Sequence, residues 1–253
     1  MKHSMSRHTL FAMQLFCLLG LVAAPFVLTV WELLAAYCMF IFLSIVFSVT
    51  NHRLLSHRAF QPTTFFKYAG PIISSMCAAG SPLAWSSLHL DHHRYPDKPQ
   101  DPHSPHHKAS WQIYFLSPYF ESKSLNKRLL VQSFHRFLHR WYFTFHAVLI
   151  VVLTVISVKA LIIFYLMPNA LLLLGLGVLG SDLHRYGYRN FQIKDQSRNN
   201  IFWWPLLFGE TWHNNHHARP KQAKFGVKWW EIDPQHWFTR LVTAKAIESK
   251  ETH

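Results

Sequence analysis

The chain carries three clusters of histidines at the spacings of metal ligands. The clusters are His52 and His57 in NHRLLSH, His89, His92 and His93 in HLDHH, and His213, His216 and His217 in GETWHNNHHARP. Imidazole is a ligand for iron, zinc, copper and nickel, and rings three or four residues apart on a helix reach one ion together. Eight such rings are too many for one ion and sufficient for two.

The spacing also limits the metal and the local structure. Zinc sites need only three or four ligands, so eight histidines indicate two redox-active ions such as iron rather than zinc. His52 and His57 are five residues apart, and rings at that spacing diverge by roughly 140° on an α-helix. We therefore expect this pair either to bind ions from two sides or to flank the end of a helix.

The isolated histidines have simpler explanations. Those predicted to anchor the chain at a membrane surface are His135, His139, His146 and His236. His106 and His107 are predicted to be solvated. His103, in DPHSP, is expected to brace its loop or to hydrogen-bond a ligand ring.

The composition indicates a membrane protein. Half of the 253 residues are hydrophobic and 16% are aromatic, which leaves little polar residue to cover a soluble surface. The formal charge is +13, but the basic residues lie beside the apolar stretches, as expected at an anionic membrane face. We therefore predict no nucleic-acid partner. Cys17, Cys38 and Cys77 lack metal-binding spacing and are predicted to be buried free thiols.

Four apolar stretches are predicted to cross the membrane as two hairpins. They are residues 10–30 and 33–50, then 141–158 and 160–180, with a hinge near Lys159. The stretch 61–85 is broken by glycine and proline and is predicted to be an interfacial or re-entrant helix. Residues 51–140 and 181–253 are predicted to form a helical cap. The expected fold is an all-α membrane protein with a single domain over residues 1–253.

The basic residues predict the orientation. Eleven lysines and arginines lie in each of the two cap segments. Positive residues remain on the cytoplasmic side, so the cap and its histidine clusters are predicted to be cytoplasmic. The first apolar stretch is longer than the core of a signal peptide and another span follows at once, which favours a true span. We expect a multi-pass protein of the bacterial inner membrane.

These features resemble a known family, the membrane-bound fatty acid desaturases, and within it the acyl-CoA desaturases of the delta-9 type. The resemblance rests on NHRLLSHRAF, HLDHHRYPDKPQDPHSP, GYRNFQIKDQSRNN and GETWHNNHHARP, and on the order of the two hairpins. It implies four transmembrane helices, a cytoplasmic cap that holds two irons, and a kinked tunnel for an acyl chain. It also implies a ninth ligand, His184 in SDLHRYG.

Two positions depart from the family pattern. The family commonly has an asparagine four residues before the ninth histidine, where it holds a metal-bound water, and this chain has Gly180. Asp182 is a candidate substitute. Relatives usually have glycine after Glu210, and Thr211 is expected to narrow the approach to the third cluster.

The resemblance predicts an oxidoreductase that introduces a cis double bond, of the delta-9 type, into a saturated acyl chain on coenzyme A or a related carrier. No side chain removes hydrogen from an unactivated methylene, so a cofactor must supply the oxidant. The resemblance implies two iron ions (Fe2+) with O2 as co-substrate. A separate ferredoxin or cytochrome b5 type protein would deliver two electrons, and membrane lipid would surround the spans. No catalytic residue is predicted beyond the metal site.

Two further sets of residues are assigned roles. Those expected to hydrogen-bond the ligand rings are Asp91, Asp97, Asp101, His103, Asp182 and Glu210. Those expected to line the distal tunnel are Phe40, Ile41 and Ser44, because the chain beyond a delta-9 bond is roughly 11 Å long and a helix rises about 1.5 Å per residue before His52. For Phe40, lipid contact or ordinary helix packing is an equal alternative.

Two other functions are compatible with the same features. A di-iron membrane hydroxylase of a lipid or alkane would share the HxxHH motif, but it would yield an alcohol and not an alkene. A metal-binding transporter would place ionisable residues inside the spans. The predicted spans hold essentially none except His146, and the clusters lie outside them, so the desaturase hypothesis is preferred.

Overall fold

The computed structural model describes residues 5–120, 122 and 125–246, and this part of the chain is mostly helical. The α-helices are α1 (Arg7–Val27), α2 (Val30–Phe47), α3 (Thr64–Ser74), α4 (Pro82–Arg94), α5 (Ser110–Phe115), α6 (Lys127–Leu130), α7 (Ser133–Arg140), α8 (Tyr142–Ile156), α9 (Val158–Leu161), α10 (Met167–Gly180), α11 (Trp204–Leu207), α12 (His213–Ala218) and α13 (Pro234–Val242). Two π-helical segments, Ser48–Ser56 and Ile162–Leu166, continue α2 and α9. Short 3₁₀ turns occupy Ser117–Tyr119, Asp182–His184, Ile201–Trp203 and Phe208–Thr211. Two short strands, β1 (Phe60–Pro62) and β2 (Thr243–Ala246), pair antiparallel, so the all-α prediction omitted one small ribbon.

Three helical segments are long and apolar enough to cross a membrane. They are Arg7–Val27, Val30–Ser56 and Val158–His184. Helices α7 and α8 form a fourth crossing if the pair, which is bent by 54°, acts as one span. Helix α8 alone has 15 residues, which gives it a length of about 22 Å against a hydrocarbon core of roughly 30 Å. The sequence predicted four spans, and the described residues contain three helices long and apolar enough to cross, or four if the bent pair counts as one.

The hairpins turn at helix starts that are capped by side chains. The Thr29 hydroxyl accepts from the Glu32 amide, and the Glu32 carboxylate accepts from the Thr29 amide, which forms a capping box at the start of α2. The chain breaks between α8 and α9 at Ser157, which caps α9 and lies two residues before the predicted hinge. Lys159 lies inside α9 and pairs with Glu32 at 2.9 Å. This ion pair joins the two hairpins at the face opposite the histidines.

The loop 75–81, between α3 and α4, is fixed against the spans by polar side chains. Gln14 Nε2 donates to the Ala78 carbonyl at 2.9 Å, and the Ala78 amide donates to Asn169 Oδ1 at 2.6 Å. The Tyr142 hydroxyl donates to the Cys77 carbonyl at 2.6 Å. Buried backbone groups need such partners because no water reaches them. Side chains from α1, α8 and α10 therefore hold the loop that leads into α4, which carries the second histidine cluster.

The spans pack closely where small residues allow it. A Cβ at Gly20 of α1 would overlap the side chain of Leu166, so the two segments approach each other over this glycine. The outer surfaces are apolar, with Phe26 87% and Val155 82% exposed. Cys38 is also exposed on α2, although the sequence predicted a buried thiol. Large exposed apolar side chains of this kind are expected where helices face lipid.

The C-terminal part of the cap is held by buried amide side chains. Asn199 Nδ2 donates to Asn215 Oδ1 at 2.8 Å, and the Asn214 amide donates to Asn199 Oδ1 at 2.9 Å. Asn215 Nδ2 donates to Glu231 Oε2 at 2.8 Å. All three asparagines are buried. Together these bonds fix α12, which is only six residues long and carries the third histidine cluster.

Candidate metal centre

The nine predicted ligand histidines lie in two adjoining groups. The five-histidine group contains His52, His57, His89, His93 and His216. The four-histidine group contains His92, His184, His213 and His217. Within each group the candidate ligand atoms all lie within 4.8 Å of one another. The structure thus brings together every histidine that the sequence assigned to metal, including His184 outside the three clusters.

Helical phase divides each HxxHH cluster between the two groups. On α4, His89 and His93 belong to the five-histidine group, whereas His92 belongs to the four-histidine group. On α12 the assignment is reversed, because the first and last histidines of the cluster join the four-histidine group. Residues four apart differ by about 40° around a helix, and the third residue lies about 60° to the other side. One helical turn can therefore supply ligands to two ions.

A π-helix accommodates the five-residue spacing of the first cluster. Helix α2 continues as the π-helical segment Ser48–Ser56, and the His57 amide donates to the His52 carbonyl at 3.2 Å. A π-helix closes its hydrogen bonds five residues apart, so residues at that spacing come to the same side. The two ring centroids are 5.0 Å apart, and both rings join the five-histidine group. The expectation that this pair binds ions from two sides is wrong, whereas His57 does flank the end of a helical segment.

Ring nitrogens within each group have the spacing of a coordination shell. In the five-histidine group the Nε2 separations are 2.9 Å for His52 and His216, 2.8 Å for His57 and His89, and 2.9 Å for His93 and His216. In the four-histidine group they are 3.0 Å for His184 and His213 and 3.2 Å for His92 and His217. Two nitrogens bound about 2.1 Å from one ion at right angles lie roughly 3.0 Å apart. These edges fit one shared ion in each group.

Burial favours the neutral state that binds metal in six of the rings, those of His57, His89, His93, His213, His216 and His217. Burial, together with neighbouring imidazoles, lowers the pKa of His89, His93 and His213 well below 6.5. Burial lowers the pKa of His217 to about 4, although the Asp195 carboxylate opposes the change. Both groups consist of imidazoles alone, without thiolate. Neutral nitrogen donors of this kind suit first-row ions, and the residues fit the predicted pair of irons.

In the part of the chain that the structure describes, four of the nine rings contact a carboxylate through Nδ1, the ring nitrogen that faces away from the group. The distances from ring Nδ1 to carboxylate oxygen are 2.5 Å for His52 and Glu210, 2.8 Å for His92 and Asp101, 3.0 Å for His184 and Asp97, and 3.2 Å for His217 and Asp195. Such a contact fixes the tautomer, so that Nε2 is free to face an ion. Burial opposes ionisation of Glu210, but its contacts with His52 and Arg53 lower its pKa to about 2.

Asp195 is the supporting residue that sequence reasoning missed. It lies 22 residues before its partner His217, so no local spacing connects the two. The Asp195 carboxylate also accepts from the Ser197 amide at 2.9 Å and from the Ser197 hydroxyl at 2.5 Å. The available signal was its position inside GYRNFQIKDQSRNN, one of the segments that carries the resemblance.

Three other residues predicted to support ligand rings have different surroundings. Asp91 forms an ion pair within α4 at 3.3 Å. Asp182 hydrogen-bonds Tyr114. The ring of His103 packs on His92 with centroids 4.4 Å apart, and its backbone amide donates to the Asp101 carboxylate. His103 is therefore close to the four-histidine group, as a brace of the loop that holds Asp101.

Gly180 and Thr211, the two positions that depart from the family pattern, each contact a neighbouring residue near the histidines. A Cβ at Gly180 would lie 3.2 Å from His103 Nδ1, so the imidazole occupies the space beside this glycine. The buried Thr211 hydroxyl donates to the Asn200 carbonyl. His106 is exposed, as the sequence predicted, and its Nε2 also lies 3.2 Å from the His184 carbonyl. Its ring therefore supports the segment that carries the ninth histidine.

Three adjoining cavities lead past the histidines. The outer cavity is a groove with Arg7 and His139 at its rim. The middle cavity shares Leu10, Trp85 and Leu88 with the groove, and its other lining residues include His89, His92, His103 and His213. The deep cavity shares Trp85, Leu176 and Leu179 with the middle one, and it is also lined by Ser44, His52 and Leu206. Trp85 lines all three cavities, so they meet at this side chain.

The residues predicted for the distal tunnel lie at and beyond the deep cavity. Ser44 lines the cavity. Phe40 is 0% exposed and packs on Phe208 with ring centroids 6.1 Å apart. Ile41 packs against the same apolar cluster. Burial excludes direct lipid contact for Phe40 and leaves tunnel closure and helix packing as its two explanations.

Comparison with known proteins agrees with this geometry. The family pattern described as fatty acid desaturase matches residues 24–246. The chain is 31% identical over 229 residues to the sn-2 palmitoyl-lipid 9-desaturase of Nostoc sp. (strain 36), covering 86% of this chain and 80% of the relative. It is 31% identical over 235 residues to Delta-9 acyl-lipid desaturase 2 of Arabidopsis thaliana, covering 86% and 74%. It is 31% identical over 217 residues to the Acyl-CoA 5-desaturase AL21 of Anemone leveillei, covering 77% and 63%.

The chain belongs to the fatty acid desaturase family. This confirms the resemblance drawn from the histidine motifs. The coarse assignment that follows is an oxidoreductase that acts on fatty acyl chains, in a membrane protein with histidine groups able to hold metal.

Proposed function

We propose that this protein is an O2-dependent fatty acyl desaturase that introduces a cis double bond at the delta-9 position of a saturated acyl chain. The observation that supports it best is that both histidine groups line apolar cavities. A methylene chain needs an apolar channel, whereas a transported ion needs a polar one. The delta-9 position is supported by the names of two of the relatives described above.

The reaction removes one hydrogen atom from each of two neighbouring methylenes. One O2 is reduced to two waters, and the balance requires two electrons and two protons from outside. Two irons, when bound, supply the oxidant that no amino-acid side chain provides. The nine histidines would hold these ions, and the four carboxylates behind them would fix the rings.

Apolar side chains at the junction of the cavities would position the acyl chain. Trp85 stacks on His89 with centroids 4.9 Å apart and an interplanar angle of 10°, so its ring separates part of the path from a ligand. Leu176 and Leu179 line both the middle and the deep cavity. A rigid apolar wall beside the ligands would select the methylene pair that reacts and would exclude water.

The carrier of the acyl chain would lie at the groove between the start of α1 and α4, with Arg7 and His139 at the rim. The net charge of +13 supports a phosphate-bearing carrier. Coenzyme A and a membrane phospholipid share this chemistry, and the relatives include acyl-lipid and acyl-CoA enzymes. We therefore assign the carrier to the phosphate-bearing class.

The whole chain would form one membrane-embedded domain with four spans. Helices α7 and α8 would form the fourth span, and residues 1–253 would act as one domain. The cap, with 11 lysines and arginines in each of its two segments, would lie on the cytoplasmic side of a bacterial inner membrane. A separate ferredoxin or cytochrome b5 type protein would deliver the electrons, since an acidic carrier is attracted by a basic surface.

Expression in a host that lacks its own desaturase tests the reaction. Fatty acids are extracted, and the double bond is located by mass spectrometry after derivatisation. A new cis-9 monounsaturated acid, absent with the His216→Ala variant, is the expected result. A hydroxylated acid would favour the membrane hydroxylase, and an unchanged lipid profile with altered cellular metal content would favour the transporter.

A second assay identifies the carrier. Purified protein, with iron and an electron donor, is given either a saturated acyl-CoA or vesicles of a saturated phospholipid. The carrier on which the alkene accumulates is the substrate. Desaturation of a free fatty acid alone would contradict the assignment to a phosphate-bearing carrier.

A further inference from the structure

The two histidine groups differ in the carboxylates that hold them. In the four-histidine group three of the four rings have a carboxylate at Nδ1, from Asp97, Asp101 and Asp195. In the five-histidine group a single ring has one among the residues that the structure describes, from Glu210. The group with fewer imidazoles therefore has more carboxylates in contact with its rings.

Cations increase this difference. Arg53 is 0% exposed and lies 3.2 Å from Glu210 and 3.0 Å from Asp233, so a buried positive charge, shared with Asp233, lies beside the single carboxylate of the five-histidine group. Asp97, Asp101 and Asp195 each accept from backbone amides instead. Among the residues that the structure describes, no lysine or arginine forms an ion pair with any of these three carboxylates.

Both differences act on a divalent ion in the same direction. A carboxylate behind a ligand ring raises the basicity of the ring, and its loss typically lowers metal affinity by about 10- to 100-fold. Two more carboxylates should therefore raise the metal affinity of the four-histidine group over that of the five-histidine group by roughly 100- to 10,000-fold. The positive charge of Arg53 beside Glu210 acts in the same direction. The fifth imidazole of the other group would add a neutral ligand and strengthen binding there without changing the charge of the site, and the difference in charge is the larger effect.

We propose that the two metal positions are inequivalent and that the four-histidine group binds its ion first and more tightly. This inference rests on the proposed metal centre but concerns only its order of loading. It assigns to Asp97, Asp101 and Asp195 a positioning role that controls metal affinity. The five-histidine group then holds the weaker ion, which is lost first when a chelator is added.

Titration of metal-free protein with Mn2+ alone, in detergent and without oxygen, tests the order. Bound ion is followed by calorimetry and by electron paramagnetic resonance. Two binding steps are expected in the unchanged protein. Asp195→Asn should weaken the first step by about 10- to 100-fold and leave the second unchanged, whereas His57→Ala should leave the first step unchanged and weaken the second.

Controls separate metal binding from folding. Glu32→Gln removes a negative charge at the face opposite the histidines, where the carboxylate pairs with Lys159, and should change neither step. Size-exclusion chromatography and circular dichroism report the folded state. If Asp195→Asn does not fold, Asp97→Asn makes the same test at His184.

The outcomes distinguish this inference from the proposed function. Two steps of equal affinity, or an Asp195→Asn variant in which only the second step weakens, would overturn the inference and leave the desaturase proposal intact. Binding of fewer than two ions would overturn the paired metal centre itself. Desaturation is measured separately, by product analysis of the iron-loaded protein.

Discussion

The membrane-crossing helices and the cap bury their side chains in different ways. The spans present large apolar residues to the outside, such as Phe26 and Val155, and pack through close contacts at small residues such as Gly20. The cap, together with the π-helical segment Ser48–Ser56 that leads into it, instead buries amide and charged side chains, among them Asn215 and Arg53. Apolar contacts adapt to neighbouring residues, whereas each buried polar group needs a specific partner.

The partners in the cap come from distant parts of the sequence. His52 and Glu210 are 158 residues apart, and Arg53 and Asp233 are 180 residues apart. Loss of one partner leaves the other buried without compensation. Substitutions of equal size should therefore be tolerated in the spans and costly in the cap.

Two buried histidines, one in each region, give the largest contrast. His216 lies in the five-histidine group, whereas His146 lies within α8 and its Nδ1 is 2.6 Å from the Tyr165 hydroxyl. His216→Ala should abolish desaturation and lower the bound iron, as should Ala at each of the other eight ligands, because a coordination position is lost. His146→Ala should retain both irons. Metal analysis of the two purified variants, with fatty acid analysis of the host, decides the matter.

A His216→Ala enzyme with full activity and two irons would remove that histidine from the ligand set. Loss of iron in His146→Ala would show that the spans and the cap do not act separately. Either result would break the contrast between the two regions.

The sequence predicted the ligands because their spacing is local. His89, His92 and His93 lie within about one helical turn. Apolar stretches of about 20 residues likewise identify spans without knowledge of their neighbours. Membership of the desaturase family, predicted from these motifs, is confirmed. The assignment of each ring to one of two groups could not be predicted, since it depends on where α4 and α12 meet.

Features that depend on long-range contacts were missed or misjudged. Asp195 has no sequence spacing to His217, and the π-helical winding that brings His57 to the side of His52 leaves no mark in the residue types. The break at Ser157 was misplaced because Lys159, as the only charge in the region, was taken for the turn. Charge marks a membrane face but does not fix a helix boundary.

Acid should destabilise the metal-free cap. Burial lowers the pKa of His89, His93 and His216 well below 6.5 in the folded protein, whereas the unfolded chain has the ordinary value. Below about pH 6.5 the unfolded state therefore binds more protons, and stability falls as the pH falls. Each ring that stays neutral contributes about 1.4 kcal/mol per pH unit. Thermal unfolding of metal-free protein from pH 7.5 to pH 5 measures the effect.

Limited proteolysis over the same pH series locates the change. Cleavage should increase first in the cap, at 181–246, while the spans stay protected. A melting temperature that does not change with pH would contradict the prediction, and cleavage that begins in the loop between α1 and α2 would assign the acid sensitivity to the wrong region.

Two ion pairs provide a matched test of stability. Arg53 is buried between Glu210 and Asp233, at 3.2 and 3.0 Å, whereas the pair of Lys159 and Glu32 is exposed at the opposite face. Arg53→Met keeps much of the side-chain volume but removes the cation that two buried carboxylates share, and it should cost about 3–5 kcal/mol. Lys159→Met should leave the melting temperature unchanged, because exposed pairs are weak. Equal melting temperatures for the two variants would show that the buried pair is not needed for the cap.

The smallest expected effect is a change of chain-length preference in the spans. Ser44 lines the deep cavity, and Phe40, one turn earlier on α2, belongs to the buried apolar cluster next to it. Ser44→Phe should shorten the preferred acyl chain, and Phe40→Ala should lengthen it. One methylene in an apolar pocket changes specificity by about 10- to 200-fold, so the ratio of C16 to C18 products is a sensitive measure.

Phe42 supplies the matched control for this test, because it lies on the same helix, has the same side chain and is 45% exposed on the outer surface. Phe42→Ala should leave the product ratio unchanged, since its ring faces away from the cavity. A shift with Phe42→Ala as large as that with Phe40→Ala would mean that both act through the packing of α2 and not through the tunnel. If neither Ser44→Phe nor Phe40→Ala changes the ratio, the end of the tunnel is built by α10, where Leu172 and Gly175 line the same cavity from the other side.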